Sequence, residues 1–171
     1  DVFASANEAH IQALSDAGVV SKAQLFARNR LALIVPKANP AGIERFEQLP
    51  AARRLVLGNR EVPVGRYTAD LLGRLPPKTA RAIEGRVVSR ENNVRLARAK
   101  VLLGEADAAV VYRSDAEHPN LKRIAIPEAI NPGVGYHIAA VKKRPASEKW
   151  LAFLASAKGR QTLQQHGFAV P

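Results

Sequence analysis

Apolar runs and helical stripes alternate along the 171-residue chain. Short runs rich in aliphatic and β-branched residues predict buried strands, each closed by turn residues such as Pro36 or Gly58. These runs are DVFAS (1–5), RLALIVPK (30–37), residues 54–57, residues 86–88, AAVVY (108–112), NLKRIAIP (120–127) and YHIAAVKK (136–143), with FAVP (168–171) as a short edge strand.

Helices are predicted between these strands from apolar spacing and from residues that begin or end helices. The starts are Asn7 as an N-cap, the Pro63–Gly65 turn, Asn92 or Asn93 as an N-cap, and Pro145. Gly18 and Gly104 are expected to end helices. Gly159 is expected to break the helix that begins at Pro145, and one or two further helical turns are predicted in 159–168. Two shorter helices are predicted around 43–49 and 78–83, and Trp150, Leu151, Phe153 and Leu154 are predicted to form an apolar helix face.

The alternation of strands and helices predicts an α/β protein with parallel or mixed sheets and helices on both faces. Two predicted strands, near 31–35 and near 136–141, bracket a central block. If these strands run side by side, residues 37–135 form a second lobe on a two-strand hinge. Residues 1–36 and 136–171 would then form part of a first lobe.

Composition excludes several classes of protein. Apolar residues make up 47% and charged residues 24%, as in soluble globular proteins, and there is no cysteine for a disulfide, a thiolate site or a nucleophile. The four histidines share no metal-ligand spacing, and neither a P-loop nor a GxGxxG motif is present. Ser114, Asp115 and His118 lie on one short turn without a nucleophile-elbow motif, so a catalytic triad is not expected.

The formal net charge of +11 suggests an anionic partner. The basic residues are spread along the chain, with modest clusters at 81–100 and 142–144, and only 5% of residues are aromatic. A solvated basic surface is therefore favoured over a nucleic-acid-binding one. The positive field would still attract small anions.

The segment RENNVRLARAKVLLGEADAAVVYRSDA (90–116) carries the clearest candidate chemistry. The helix predicted after Asn93 offers unpaired backbone N–H groups, which favour an anion, and Tyr112 ends a buried strand, where open α/β sheets bind ligands. From these residues alone, an ordinary αβ unit with a tyrosine on its rim is the favoured interpretation.

The chain resembles periplasmic molybdate-binding proteins, the solute receptors of ABC importers for molybdate and tungstate. The resemblance rests on DVFASANEAH, EVPVGRYTADLL, the 90–116 segment and KGRQTLQQHGFAVP, in that order. It implies a periplasmic, non-enzymatic, two-lobe binding protein that needs no cofactor and has a membrane permease as its partner. It also implies that the N–H groups of Val64 and Val94 and the hydroxyl of Tyr112 bind the oxyanion. Arg66 and Arg95 could add to the positive field, but they are expected to point to solvent, because a charged side chain in the site would bind phosphate as readily as molybdate.

The chain also departs from this family. The family's two serine ligands lie in a segment upstream of the DVFAS strand, and nothing here matches that segment. Asp1 is therefore interpreted as a cut site, the first lobe is expected to be incomplete, and dimerisation or domain swapping through that lobe is expected.

Sulfate has a similar size and charge to molybdate, so both anions stay open as ligands. The second candidate function is a ligand-sensing domain of a cytoplasmic regulator. The third is direct nucleic-acid binding.

Overall fold

The computed structural model describes residues 1–6, 8–142 and 144–171. These residues divide into two compact units, one of Asp1–Asn29 with Gly133–Pro171 and one of Arg30–Pro132. The N-cap predicted at Asn7 and the central lysine of the 142–144 cluster lie outside the described residues.

The elements alternate much as the sequence predicts. The strands are β1 (Val2–Ser5), β2 (Gln24–Asn29), β3 (Leu31–Pro36), β4 (Leu55–Gly58), β5 (Val87–Glu91), β6 (Ala108–Tyr112), β7 (Leu121–Ile124) and β8 (Val134–Ala140). The α-helices are α1 (Glu8–Asp16), α2 (Pro63–Gly73), α3 (Pro77–Glu84), α4 (Val94–Leu102), α5 (Pro145–Ala155) and α6 (Ala157–Gln165). Two 3-10 helices span Phe46–Ala51 and Arg113–Asp115.

The first unit contains an antiparallel sheet of order β1-β8-β2. Helices α1, α5 and α6 belong to the same unit, and Ala169 forms an isolated bridge with Arg28 near the predicted end strand. Trp150 stacks on Phe153, and both side chains are partly exposed, at 48% and 37%. The apolar face predicted for α5 is therefore only partly buried.

The second unit contains a mixed five-stranded sheet of order β5-β4-β6-β3-β7. β4 runs parallel to β5 and β6, whereas β3 runs antiparallel to β6 and β7. Helix α4 packs Ala97 and Val101 against Ala32, Val56 and Val111 of this sheet. The predicted α/β class with mixed sheets is confirmed.

The predicted pairing of the two bracketing strands is wrong. β3 pairs with β6 and β7 in the second unit, and β8 pairs with β1 and β2 in the first. The five residues Leu31–Val35 are buried on both faces, as a central strand requires. The division between units consequently falls after Asn29 and after Pro132, not at the predicted positions 36 and 135.

The predicted break between two C-terminal helices lies at Ser156 rather than at Gly159. α5 ends at Ala155, and Oγ of Ser156 accepts a hydrogen bond from the Gly159 N–H at 3.2 Å and so caps α6. Gly159 is a packing residue, because a Cβ there would lie 2.2 Å from the carbonyl oxygen of Phe153.

Within the described residues, every helix is too short or too polar to cross a membrane.

Candidate anion-binding site

Three parallel strands end at one edge of the five-stranded sheet. β4 ends at Gly58, β5 at Glu91 and β6 at Tyr112, and the first two lead into α2 and α4. Because carboxyl ends of parallel strands share an edge, the structure brings Val64, Val94 and Tyr112 to the same side of the unit. The three candidate residues thus converge from three separate stretches of sequence.

Helix α2 begins in close contact with the end of β4. Pro63 occupies its first position, and the buried Val64 follows. A Cβ on Gly65 would lie 1.9 Å from the carbonyl oxygen of Asn59, and one on Gly58 would lie 2.7 Å from Cγ1 of Val64. Only glycine at both positions lets the helix start this near the strand end.

Helix α4 begins with a side-chain cap. Asn93 has an extended backbone, and its Oδ1 accepts a hydrogen bond from the Leu96 N–H at 3.0 Å. The Val94 N–H, like that of Val64, has no hydrogen-bond acceptor within the described parts of the chain. The first turns of α2 and α4 therefore each present a backbone donor at this edge.

Tyr112 is held by the strand that precedes it. The residue is 7% exposed and lies opposite Leu31 in the antiparallel pair β6–β3. The next N–H, that of Arg113, donates to the Arg30 carbonyl at 2.8 Å. The backbone position of the tyrosine is therefore fixed by pairing with Leu31 and by the hydrogen bond between Arg113 and Arg30.

Charged side chains surround these donors. Arg66 and Arg95 are exposed, as expected. The hydrogen bond from Lys100, assisted by Ser89, lowers the pKa of the Glu91 carboxyl, and the Lys100 ammonium lies 2.7 Å from that carboxylate. The positive charge of Lys100 reduces the repulsion that Glu91 would exert on an anion at this edge.

Asp115 was not identified from the sequence as part of this region. Burial raises the pKa of its carboxyl, while a hydrogen bond from Ser114 and the charges of Arg98 and Arg95 act in the opposite direction. Arg98 also donates to the Asp115 carbonyl at 3.3 Å, joining α4 to the turn after Tyr112. In the sequence, only its position three residues after Tyr112 could have indicated that Asp115 lies in this region.

The described residues support neither a catalytic relay at Ser114 nor a metal site. His118 Nδ1 accepts a hydrogen bond from the Asn120 N–H, while Ser114 donates to Asp115, so these three side chains do not form a relay. Over the described ranges, no group of three histidine or acidic side chains is arranged to hold a metal ion. An open pocket of about 530 Å³ lies at the amino ends of the strands, against Arg53, Arg54 and Asp107, away from the candidate donors.

Comparisons with known proteins agree with one another. The family "Bacterial extracellular solute-binding protein" matches residues 1–169. The molybdate-binding protein ModA of Mycobacterium tuberculosis H37Rv is 33% identical over 178 residues, which cover 100% of this chain and 66% of that protein. The chain thus spans slightly less than two thirds of that relative's length.

Two solved structures have the same fold. The substrate binding domain of a putative molybdenum ABC transporter from Clostridium difficile has a TM-score of 0.82 and 22% identity, over 100% of this chain and 77% of that one. L-phospholactate-bound PEB3, a Campylobacter jejuni protein, has a TM-score of 0.85 and 17% identity, over 100% and 80% respectively. At these identities the likeness concerns the fold.

Proposed function

This chain belongs to the bacterial extracellular solute-binding proteins, and on that premise we propose that it binds molybdate or tungstate and delivers it to the membrane permease of an ABC importer. The convergence of two helix N-termini and Tyr112 at one sheet edge is the observation that carries the proposal. The identity of the anion is taken from the molybdate-binding relative. The proposed location is the periplasm, and neither a catalytic role nor a cofactor is proposed.

The proposed donors are the N–H groups of Val64 and Val94 and the hydroxyl of Tyr112. Helices of 11 and 9 residues place the positive ends of their dipoles at the anion, each contributing about 0.3–1 kcal/mol at an exposed site and more when partly buried. Backbone N–H groups can only donate, so they match an oxyanion that carries no proton. The family match favours this receptor over the cytoplasmic regulator.

A second copy of the chain is proposed as a further partner. β1 is the outer strand of the three-stranded sheet, and outer strands can pair with another chain. Light scattering at working concentration is expected to give the mass of a dimer. A monomeric mass would contradict this part of the proposal.

The variant Val94→Pro tests the backbone donors directly. Proline at the first position of α4 removes the N–H and replaces the valine side chain by a ring, and the extended backbone of Asn93 is the conformation that a following proline requires. α2, α3 and α5 of this chain already carry proline in their first turn. We expect molybdate affinity to fall at least about tenfold, because a hydrogen bond to a charged ligand is lost.

Val94→Ala is the matched control. It shortens the half-buried side chain and keeps the N–H, so calorimetric titration with molybdate is expected to give nearly wild-type affinity. Thermal unfolding of both variants separates a binding defect from a folding defect. Equal affinities for Val94→Pro and the wild type would rule out this donor.

A further inference from the structure

Asn59, in the turn between β4 and α2, uses all of its polar groups. Its backbone oxygen accepts from the Val62 N–H at 3.1 Å, and its side-chain Oδ1 accepts from the Glu61 N–H at 3.3 Å. Both bonds lie within its own loop and shape the turn that enters α2.

The other two hydrogen bonds cross to the neighbouring loop. The Asn59 N–H donates to the Glu91 carbonyl at 2.8 Å, and its Nδ2 donates to Oδ1 of Asn92 at 3.3 Å. Asn92 lies one residue before the N-cap of α4. Asn59 therefore joins the loop that enters α2 to the loop that enters α4.

The backbone of Asn59 also packs closely against the first turn of α2. The carbonyl oxygen of Asn59 occupies the space that a Cβ of Gly65 would fill, at 1.9 Å. The first turn of α2 thus rests on the Asn59 backbone, while the side chain of Asn59 reaches the entrance of α4. Asn59 therefore contacts the entrances of both helices, directly after the β4–β5 pairing that ends at Gly58 and Glu91.

We propose that Asn59 is a positioning residue that sets the separation of the Val64 and Val94 N–H groups and thereby the size of oxyanion that the site selects. This inference rests on the proposed function. Molybdate and sulfate are both tetrahedral dianions, and molybdate is the larger because its metal–oxygen bonds are longer. Donors held at a fixed spacing can distinguish the two, whereas donors free to move adapt to either.

The first experiment compares Asn59→Ala with the wild type by calorimetric titration with molybdate and with sulfate. The ratio of the two affinities is expected to fall by about fivefold, the equivalent of one typical hydrogen bond. A purely structural role would lower the unfolding temperature and leave the ratio unchanged, and that result would overturn the inference.

Asn39→Ala is the matched control. Asn39 also organises a turn through its side chain, which accepts from the Ile43 N–H and donates to the Ile43 carbonyl. It follows β3, which is antiparallel to β6, so it lies at the sheet edge opposite to Tyr112. This variant should lose stability without changing the affinity ratio.

A second measurement needs no ligand. Asn92→Ala removes the acceptor of the Asn59 side chain and leaves the β4–α2 loop unaltered in sequence. Amide hydrogen exchange at Asn59 and Val62 is expected to accelerate about fivefold. Acceleration confined to residues 91–96 would overturn the coupling. If wild-type protein gave no heat with molybdate, the proposed function would fail, while the exchange experiment would still decide the role of Asn59.

Discussion

Val64 and Val94 are ordinary aliphatic residues, and their candidate role depends on their backbone N–H groups. Side-chain chemistry therefore gives no sign of them. The family resemblance implies these two positions, and the helix starts at Pro63 and Asn93 agree with it. At Tyr112 the side chain itself is the candidate. The candidate site therefore has one side-chain donor and two backbone donors, and neighbouring residues that shape the backbone set the positions of the backbone donors.

Tyr112→Phe tests the single side-chain donor. Because the ring remains buried in β6, the unfolding temperature is expected to change little. Molybdate affinity is expected to fall about tenfold, since the hydroxyl would donate to a charged oxygen. Titration calorimetry measures the loss, and unchanged affinity would remove Tyr112 from the site.

Tyr136→Phe is the control for that experiment. Tyr136 lies in the other unit and packs edge-on against Phe26 and Phe168, with ring centroids 6.4 and 5.2 Å away. The same loss of one hydroxyl should leave molybdate affinity at the wild-type value there.

Gly65→Ala tests the close approach of α2 to β4. The added Cβ would meet the Asn59 carbonyl at 1.9 Å, so the helix start must move, and both stability and molybdate affinity are expected to fall. Gly73→Ala, near the end of the same helix, meets nothing within 4 Å and should gain about 0.5–1 kcal/mol of helix stability. Similar behaviour of the two variants in thermal unfolding and titration would contradict the packing argument.

At the scale of elements, local signals predict most of the structure. The bounds of α2, α4 and β6 follow from Pro63, Asn93, Gly104 and the apolar run 108–112, so each candidate donor could be placed at a helix start or at a strand end. Their convergence at one edge could not be predicted, because it depends on strand pairing between distant segments. β2 is missing from the predicted strands, because Gln24, Arg28 and Asn29 leave it only a short apolar run.

Asp107 links the amino ends of β4 and β6. Its carboxylate accepts hydrogen bonds of 2.9 Å from the Arg54 guanidinium and from the backbone N–H groups of Arg53 and Arg54. Burial acts to raise the pKa of this carboxyl, but these bonds outweigh it and hold the pKa below its ordinary value of 3.8. The stabilisation is therefore present above that ordinary value and lost as the pH falls through the lower folded-state pKa.

Asp107→Asn is expected to lower the free energy of unfolding at pH 7 by about 2 kcal/mol. The difference from the wild type should shrink as the pH falls below about 4. Urea unfolding over this pH range measures it, with Glu105→Gln as a control at an exposed carboxylate. A difference that stays constant with pH would show that Asp107 does not act through its charge.

For the whole molecule, charge alone is ambiguous. A formal charge of +11 would suit either a nucleic acid or a small anion. The order of motifs along the chain distinguished these possibilities, and the match over residues 1–169 confirms the predicted family. The division into units was predicted only approximately, because the prediction assigned the strand near 31–35 to the first unit, whereas the chain leaves that unit after Asn29 and returns to it after Pro132.

We propose that this chain binds a tetrahedral oxyanion and prefers molybdate to sulfate. Calorimetric titration of the purified protein with molybdate, and separately with sulfate, tests this proposal most directly. We predict saturable heat with molybdate and at least about tenfold weaker binding of sulfate, a difference of about 1.4 kcal/mol. The absence of saturable heat with molybdate, or equal affinity for the two anions, would contradict the account.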